Sequence, residues 1–340
     1  MINGELLMGK IGVAVVGLGR IASLLEDDEL REKPCTHTGA VTANEDCVLV
    51  AGCDIDEERR RLYAERWNVP VYSDAEEMLR IHKPQIFVIA THPDSHYFYC
   101  ALGAKMKEKI PVFICEKPLS DNLDDAFKIA DITKKGQVII TNHERRYSKD
   151  YIRAKTILQE GNLGEIISVR AVLYFGRTRK LMDMLWDDGT HLIDAIMFLT
   201  GLTMRHKQNW GTDLNENYGT AWLEGALSNE KTSLDIPVLL EIGAGRDHLI
   251  FEIEFSCVKG RLRIGNGTFE VYQSFPSPYA QKFRSLKNTG EKFSGPTGYF
   301  ANMLKDAVSC VKDPLHSPVS SAIDGLRVIE YLDSVKKQQN

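Results

Sequence analysis

Lys117 stands where an apolar strand pattern stops, in the run Val112-Phe113-Ile114-Cys115-Glu116-Lys117-Pro118. In open α/β sheets ligands bind beyond the carboxyl ends of strands. A cation set there between an acid and a proline is placed to act on a polar substrate, although a surface Glu–Lys pair explains the tripeptide equally well. A second group lies in Trp186-Asp187-Asp188-Gly189-Thr190-His191-Leu192-Ile193-Asp194. If the whole stretch is one helix, Asp187 and His191 are four apart and share a face. An imidazole accepts a proton near neutral pH, and a carboxylate beside it orients the ring and stabilises its cation. Removing hydride from an alcohol needs such a base, because the hydroxyl proton must leave as well. An ammonium such as Lys117 near the same oxygen stabilises the charge that develops there. Read alone, Asp187 and His191 fit a packed helix histidine and its neighbour just as well, with Asp194 as a further partner on the helix face.

Hydride needs an acceptor, and the start of the chain offers a place for one. Gly17-Leu18-Gly19-Arg20-Ile21-Ala22 follows the apolar run Ile11–Val16 and is expected to open a helix. That is the context a G-x-G-x-x-G/A dinucleotide fingerprint requires. Gly17 permits the tight turn, Gly19 lets the backbone approach a pyrophosphate, and the helix N-terminus favours the anion. Leu18, Arg20 and Ile21 complete the contact segment. Asp54, at the end of the next strand, is suited to the adenosine ribose and repels a 2′-phosphate, so NAD is favoured over NADP. Asp54 lies 37 positions after Gly17, more than this connection needs. The surplus falls in Leu24–His37, a solvated loop or a flap near the site. Thr91-His92-Pro93-Asp94-Ser95-His96 follows another apolar run and should border the same cleft. There Thr91 is placed for the ribose or pyrophosphate. His92 and His96 read as cofactor-edge or capping groups, and Asp94 or Ser95 as a helix cap.

The elements that must position these groups follow from the apolar patterning. Runs at 11–16, 48–53, 71–72, 85–90, 112–115 and 137–141 alternate with helical stretches at 57–67, 75–82, 95–107 and 123–134. Near-continuous apolar strands separated by helices indicate a doubly wound parallel sheet over residues 1–142. From residue 143 to 340 the pattern changes. Helices are expected at 150–160 and 186–199, a long strand at 166–175, and β-structure from about 220 to 273. Alternation in 249–255 suggests antiparallel strands with one solvated face. Residues 276–296 read as an irregular stretch, and helices at 299–311 and 322–336 close the chain, the last one packing back on the first domain.

Composition narrows the classes. The 340 residues carry a net charge of −5, are 43% hydrophobic and 26% charged, and are long enough for two domains. Such a charge attracts neither nucleic acid nor an anionic membrane. The Met1–Lys10 leader lacks the apolar core of a signal peptide, and no run approaches the roughly 20 apolar residues of a membrane span. Seven cysteines without a C-x-x-C pair read as reduced, buried thiols in a cytoplasmic protein, and no metal site is expected.

Taken in order, these motifs resemble the glucose-fructose oxidoreductase/inositol 2-dehydrogenase/MocA (Gfo/Idh/MocA) family. The resemblance rests on Gly17–Ala22, on Thr91–His96 with His92 in place of a proline, and on Glu116-Lys117-Pro118-Leu119. It also rests on Arg145-Arg146-Tyr147, the segment Glu160–Ile166, Asp187–Asp194 and Asp324–Glu330. It implies an α/β chain: an N-terminal Rossmann domain plus a C-terminal α/β domain with a large, mostly antiparallel open sheet. It implies NAD as cofactor and a catalytic set of Lys117 on the substrate oxygen, His191 as base and Asp187 as its orienting partner. Glu116, Lys117 and Arg146 would border the nicotinamide. The substrate class is a carbohydrate, polyol or nucleotide sugar. The chain would assemble as a homodimer or homotetramer through the C-terminal sheet. Lys180–Trp186 departs from the small, Gly-rich lead-in of the family, and Ala101–Pro111 is longer and more basic than its counterpart. Gly176-Arg177-Thr178-Arg179-Lys180 offers cations for a phosphate or carboxylate on the substrate, or is simply a solvated loop. Two other classes share the motifs: an enzyme that retains NAD and uses transient oxidation to drive elimination or hydrolysis, and a non-catalytic NAD-binding sensor.

Overall fold

The computed structural model describes residues 9–176, 178–228 and 235–338; Arg177 and the first eight residues of the leader lie outside them. Two compact units are present, one made of residues up to Ser148 with Pro296–Ile329, the other of Lys149–Gly295 with the residues after Ile329.

The first unit is built on six parallel strands: β1 (Ile11–Val16), β2 (Cys47–Cys53), β3 (Val71–Tyr72), β4 (Ile86–Ile89), β5 (Val112–Cys115) and β6 (Val138–Thr141). Their order is β3-β2-β1-β4-β5-β6, the doubly wound arrangement whose direction of winding reverses between β1 and β4. Every residue of β1, β4 and β5 is buried, which is why these strands read as unbroken apolar runs. The crossover helices are α1 (His37–Thr42), α2 (Glu57–Trp67), α3 (Ala75–His82), α4 (His96–Ala104) and α5 (Leu123–Ile132). Asp56, Asp74 and Asn122 cap the starts of α2, α3 and α5 with side-chain bonds to backbone N–H groups. All seven cysteines are free and buried. Burial lifts the Cys47 and Cys257 thiols to about 11, so they are unreactive near neutral pH.

The helix expected directly after Gly17–Ala22 is not continuous. One turn winds from Gly19, with Ser23 N–H bonded to Gly19 O at 3.1 Å, and the chain then leaves it through a short 3-10 turn at Leu24–Asp27. It returns at Thr36, and the N–H groups of His37 and Thr38 bond to Ile21 O and Ala22 O at 3.2 and 3.0 Å. In an unbroken helix those carbonyls would accept from residues 25 and 26. The crossover helix is therefore one element with twelve residues looped out of it, and this accounts for the long spacing from Gly17 to Asp54.

The excursion is anchored at its far side. The Glu32 carboxylate accepts from Thr297 N, Gly298 N and Thr297 Oγ1 at 2.7, 2.6 and 3.0 Å. It caps α9 (Tyr299–Lys312), which has no local side-chain cap of its own. Helix α10 (Ala322–Lys337) then approaches the sheet closely, because a Cβ on Gly325 would lie 2.6 Å from Thr141 Oγ1.

The second unit carries eight strands: β7 (Ile166–Phe175), β8 (Thr203–Gly211), β9 (Gly219–Ser228), β10 (Ile236–Ala244), β11 (Ile250–Cys257), β12 (Gly260–Gly265), β13 (Thr268–Pro276) and β14 (Arg284–Asn288). The order is β14-β13-β12-β11-β7-β10-β9-β8, antiparallel except for β7 with β10. Helices α6 (Lys149–Gln159), α7 (Leu181–Asp187) and α8 (Gly189–Thr200) accompany it. Alternate residues such as Val169, Ala171, Leu173, Ile253 and Phe255 are buried, and α8 packs against β7, β8 and β11. On these strands Arg263 pairs with both Glu252 and Glu270.

Three expectations change here. Residues 276–296 are not wholly irregular, since β14 adds an edge strand beside β13. Strand β8 was not foreseen. The single helix over 186–199 is two helices that meet at Asp188. The Thr190 hydroxyl bonds to Asp187 O at 2.7 Å, and His191 N–H bonds to Asp188 O at 3.2 Å. Asp187 thus ends α7 and His191 lies in the first turn of α8.

The Glu32 cap gives a direct test. Replacing Glu32 by Ala should cost about 1–2 kcal/mol of stability, with Gln intermediate, because three donors at a helix start lose a charged acceptor. Chemical denaturation of the two variants checks it; equal midpoints for wild type and Ala would remove the role.

Candidate functional site

The carboxyl ends of β1, β2, β4, β5 and β6 gather the first group of residues. Gly17 has φ +82°, and a Cβ there would meet Ala90 O at 2.6 Å, so only glycine fits between β1 and β4. Its N–H bonds to Cys53 O at 2.8 Å. Leu18 N–H bonds to Asp54 Oδ2 at 2.7 Å, while Asp54 Oδ1 accepts from Asp56 N at 2.9 Å. Asp54 thus ties the glycine turn to the end of β2, and it is 5% exposed. At Gly19 the nearest atom to an added Cβ is Arg59 Nη1, 3.8 Å away, so the turn is open there. The same Arg59 atom lies 3.8 Å from Asp54 Oδ2. The N–H groups of Gly19, Arg20, Ile21 and Ala22 come ahead of Ser23, where the turn's own backbone bonding begins. A cradle of this kind suits a phosphate.

Thr91 and His92 follow β4. His92 is exposed, and its carbonyl accepts from Ser95 N–H at 3.0 Å. His96 is fully buried, with Nδ1 3.2 Å from Leu119 O and Nε2 3.1 Å from Thr91 O. Its ring joins the segments after β4 and β5, and burial holds its pKa below the usual value despite those two carbonyls.

Beyond β5, Glu116 is 6% exposed. Its Oε1 accepts from His37 Nε2 at 2.7 Å and from Asn142 Nδ2 at 2.5 Å, and its Oε2 accepts from Lys117 N–H at 3.2 Å. Burial pushes this carboxyl up, yet His37, Asn142 and the Lys117 charge outweigh it and hold it below the usual carboxylate range. The result is a buried, ionised acid directly behind Lys117, which is half-buried. After β6, Glu144 is shifted the other way, pushed up by burial against the pull of Arg145 and Lys117. Arg146 is 6% exposed and pairs with Asp324 of α10 at 3.1 Å. Sequence reasoning missed His37, Asn142 and Glu144. His37 lay inside the surplus segment, and nothing in its neighbours points 79 positions ahead to Glu116.

Asp187 and His191 stand in the second unit, whereas Lys117 stands in the first. Arg179 Nη1 bonds to Asp187 Oδ2 at 3.1 Å, and its other arm bonds to Asp188. The guanidinium also lies 4.9 Å from the Phe175 ring. Two carboxylates therefore already share the Arg179 charge that the sequence offered to an anionic substrate, and Arg177 lies outside the described residues.

Known proteins resemble this chain. Residues 11–143 match the family model GFO_IDH_MocA, described as an oxidoreductase family with an NAD-binding Rossmann fold. A myo-inositol 2-dehydrogenase of Thermotoga maritima is 28% identical over 155 residues, which is 45% of this chain and 42% of that protein. An inositol 2-dehydrogenase of Rubrobacter xylanophilus is 32% identical over 163 residues, or 47% and 43%. The matched part thus spans less than half the length of these relatives. Among solved structures, GenD2 from gentamicin A biosynthesis, in complex with NAD, superposes with a TM-score of 0.73 at 16% identity, covering 97% of this chain and 94% of that one. At that identity the likeness shows the fold alone.

The Glu116 cluster sets a pH dependence. A carboxyl whose folded pKa is depressed adds stability above its unfolded pKa, and that stability is lost as pH falls through the folded value. Glu116→Gln should therefore flatten the loss of stability on acidification below about pH 4.5, the ordinary Glu range. His37→Ala should cost about 2–3 kcal/mol near neutral pH by leaving a buried carboxylate short of a donor. Denaturant midpoints measured across pH for both variants and wild type test the pair; superimposable profiles would remove it.

Proposed function

Because the chain belongs, through its Rossmann domain, to the Gfo/Idh/MocA oxidoreductase family, we propose that it is an NAD-dependent dehydrogenase that moves hydride between a CH–OH carbon of a polyol or sugar and the nicotinamide. The observation that carries this reading is Lys117 at the mouth of β5, backed by the ionised Glu116 and in the same row of strand ends as the Gly17 turn. NAD, when bound, supplies the hydride-accepting ring. Gly17, Gly19 and the N–H groups that follow would hold its pyrophosphate, and Asp54 its adenosine ribose.

In the proposed reaction Lys117 donates to the substrate oxygen and stabilises its developing charge. His191 takes the hydroxyl proton, and Asp187, itself steadied by Arg179, orients His191. Arg179, shared by Asp187 and Asp188, is less available to an anionic substrate group than the sequence alone suggests. The relatives named inositol 2-dehydrogenases support a polyol.

Lys117→Met should lower turnover by roughly 10³-fold or more with NAD affinity little changed, since a preorganised charge acting on the transition state is removed while the glycine turn stays intact. His191→Ala should slow turnover and remove the acidic limb of its pH profile. Reduced-nicotinamide absorbance over a panel of inositols, hexoses and nucleotide sugars, with NAD and NADP in turn, supplies the assay. Full activity in the Lys117 variant would sink the mechanism, and turnover without net NADH would move the chain to the NAD-retaining class.

A further inference from the structure

On α9 and the loop that follows it, three donor atoms of different chemistry converge. Asp306 and Cys310 lie one turn apart on α9, so they face the same way, and His316 returns toward them from the loop that follows. Asp306 Oδ1 and His316 Nε2 are 2.6 Å apart, and the ligand atoms of all three residues lie within 4.8 Å of one another. Among the described residues this is the group of His, Cys and acidic side chains gathered tightly enough to hold an ion. We propose that Asp306, Cys310 and His316 form a divalent-metal site of zinc type.

The donor set decides the class of ion. A thiolate, an imidazole and a carboxylate suit zinc, whereas magnesium and calcium take oxygen donors throughout. Three protein ligands leave a fourth position for water. The outer support is present as well: Asp306 Oδ2 accepts from Tyr147 OH and from Val319 N, each at 2.9 Å. Tyr147 OH in turn accepts from Ser320 N at 3.2 Å. Such bonds orient a carboxylate ligand and leave its other oxygen for the metal. Asp306 and Cys310 are buried, while the His316 side chain is 36% exposed and gives an ion a way in. An Asp–His hydrogen bond alone would explain two of the residues; the Cys310 sulfur, packed at the edge of the apolar core, stands within reach of the same ion. In a zinc complex the metal takes the place of the proton shared by Asp306 and His316. Bond lengths of about 2.0–2.3 Å then require His316, on its loop, to withdraw by roughly 1 Å.

Cobalt(II) is the probe, added to the full-length chain after chelator treatment. One equivalent should bind, with a thiolate-to-cobalt charge-transfer band and the strong visible bands of four-coordinate cobalt, and an equal amount of zinc should bleach both. Cys310→Ser should abolish the charge-transfer band. His316→Gln, at a half-exposed loop position, should weaken binding at least tenfold while circular dichroism and NAD affinity stay as in wild type. Zinc, and not magnesium, should raise the melting temperature. A weak octahedral cobalt spectrum, a thiolate band that survives in Cys310→Ser, or equal affinity in His316→Gln would each overturn the site.

Discussion

A carboxylate buried at the end of a β-strand organises the nucleotide-binding unit. Glu116 could not stay ionised out of water without donors of its own. It receives them from three places: the ring of His37 on α1, the amide of Asn142 just past β6, and the N–H of the next residue, Lys117. Each donor fixes a different segment. The first holds the crossover helix against the sheet, the second holds the exit of the last strand, and the third sets the backbone from which Lys117 projects. Phe300 of α9 closes over the other side of His37, edge to face at 5.1 Å. The glycine turn and the lysine are thereby linked through one helix, since α1 begins on the carbonyls of Ile21 and Ala22.

Much of the framework is legible in the sequence because it obeys local rules. The parallel strands are apolar throughout, and α2, β3 and α3 lie where their patterns place them, each helix with an aspartate cap. What escapes a sequence reading is held by long-range bonds or lacks an apolar pattern. Strand β8 has only Met204 buried, and no residue of β14 is buried; both are edge strands whose side chains face water. The break at Asp188 is a choice that helix periodicity does not encode. The cap on α9 comes from Glu32, 265 positions before Thr297.

The site divides along the same line. Gly17, Asp54 and Lys117 are recognisable because strand, turn and residue type occur together within a few positions. His37 and Asn142 act through Glu116, and Asp306 with His316 act through a folded loop. Their spacing holds no motif, because the partners meet only after the sheet exists.

The unit that would hold the nucleotide is written in two pieces, with residues 149–295 between them. A ribosome therefore releases the whole eight-stranded sheet before the first unit can be finished. Until then the Tyr147 hydroxyl lacks Asp306, Thr141 O lacks the Ser320 hydroxyl, and β6 lacks its bridge to Ser321. A fragment cut after Ser148 would keep the glycine turn and Lys117 yet expose the apolar surface that α9 covers. The order of manufacture thus makes a later-made segment the fastening of an earlier-made domain.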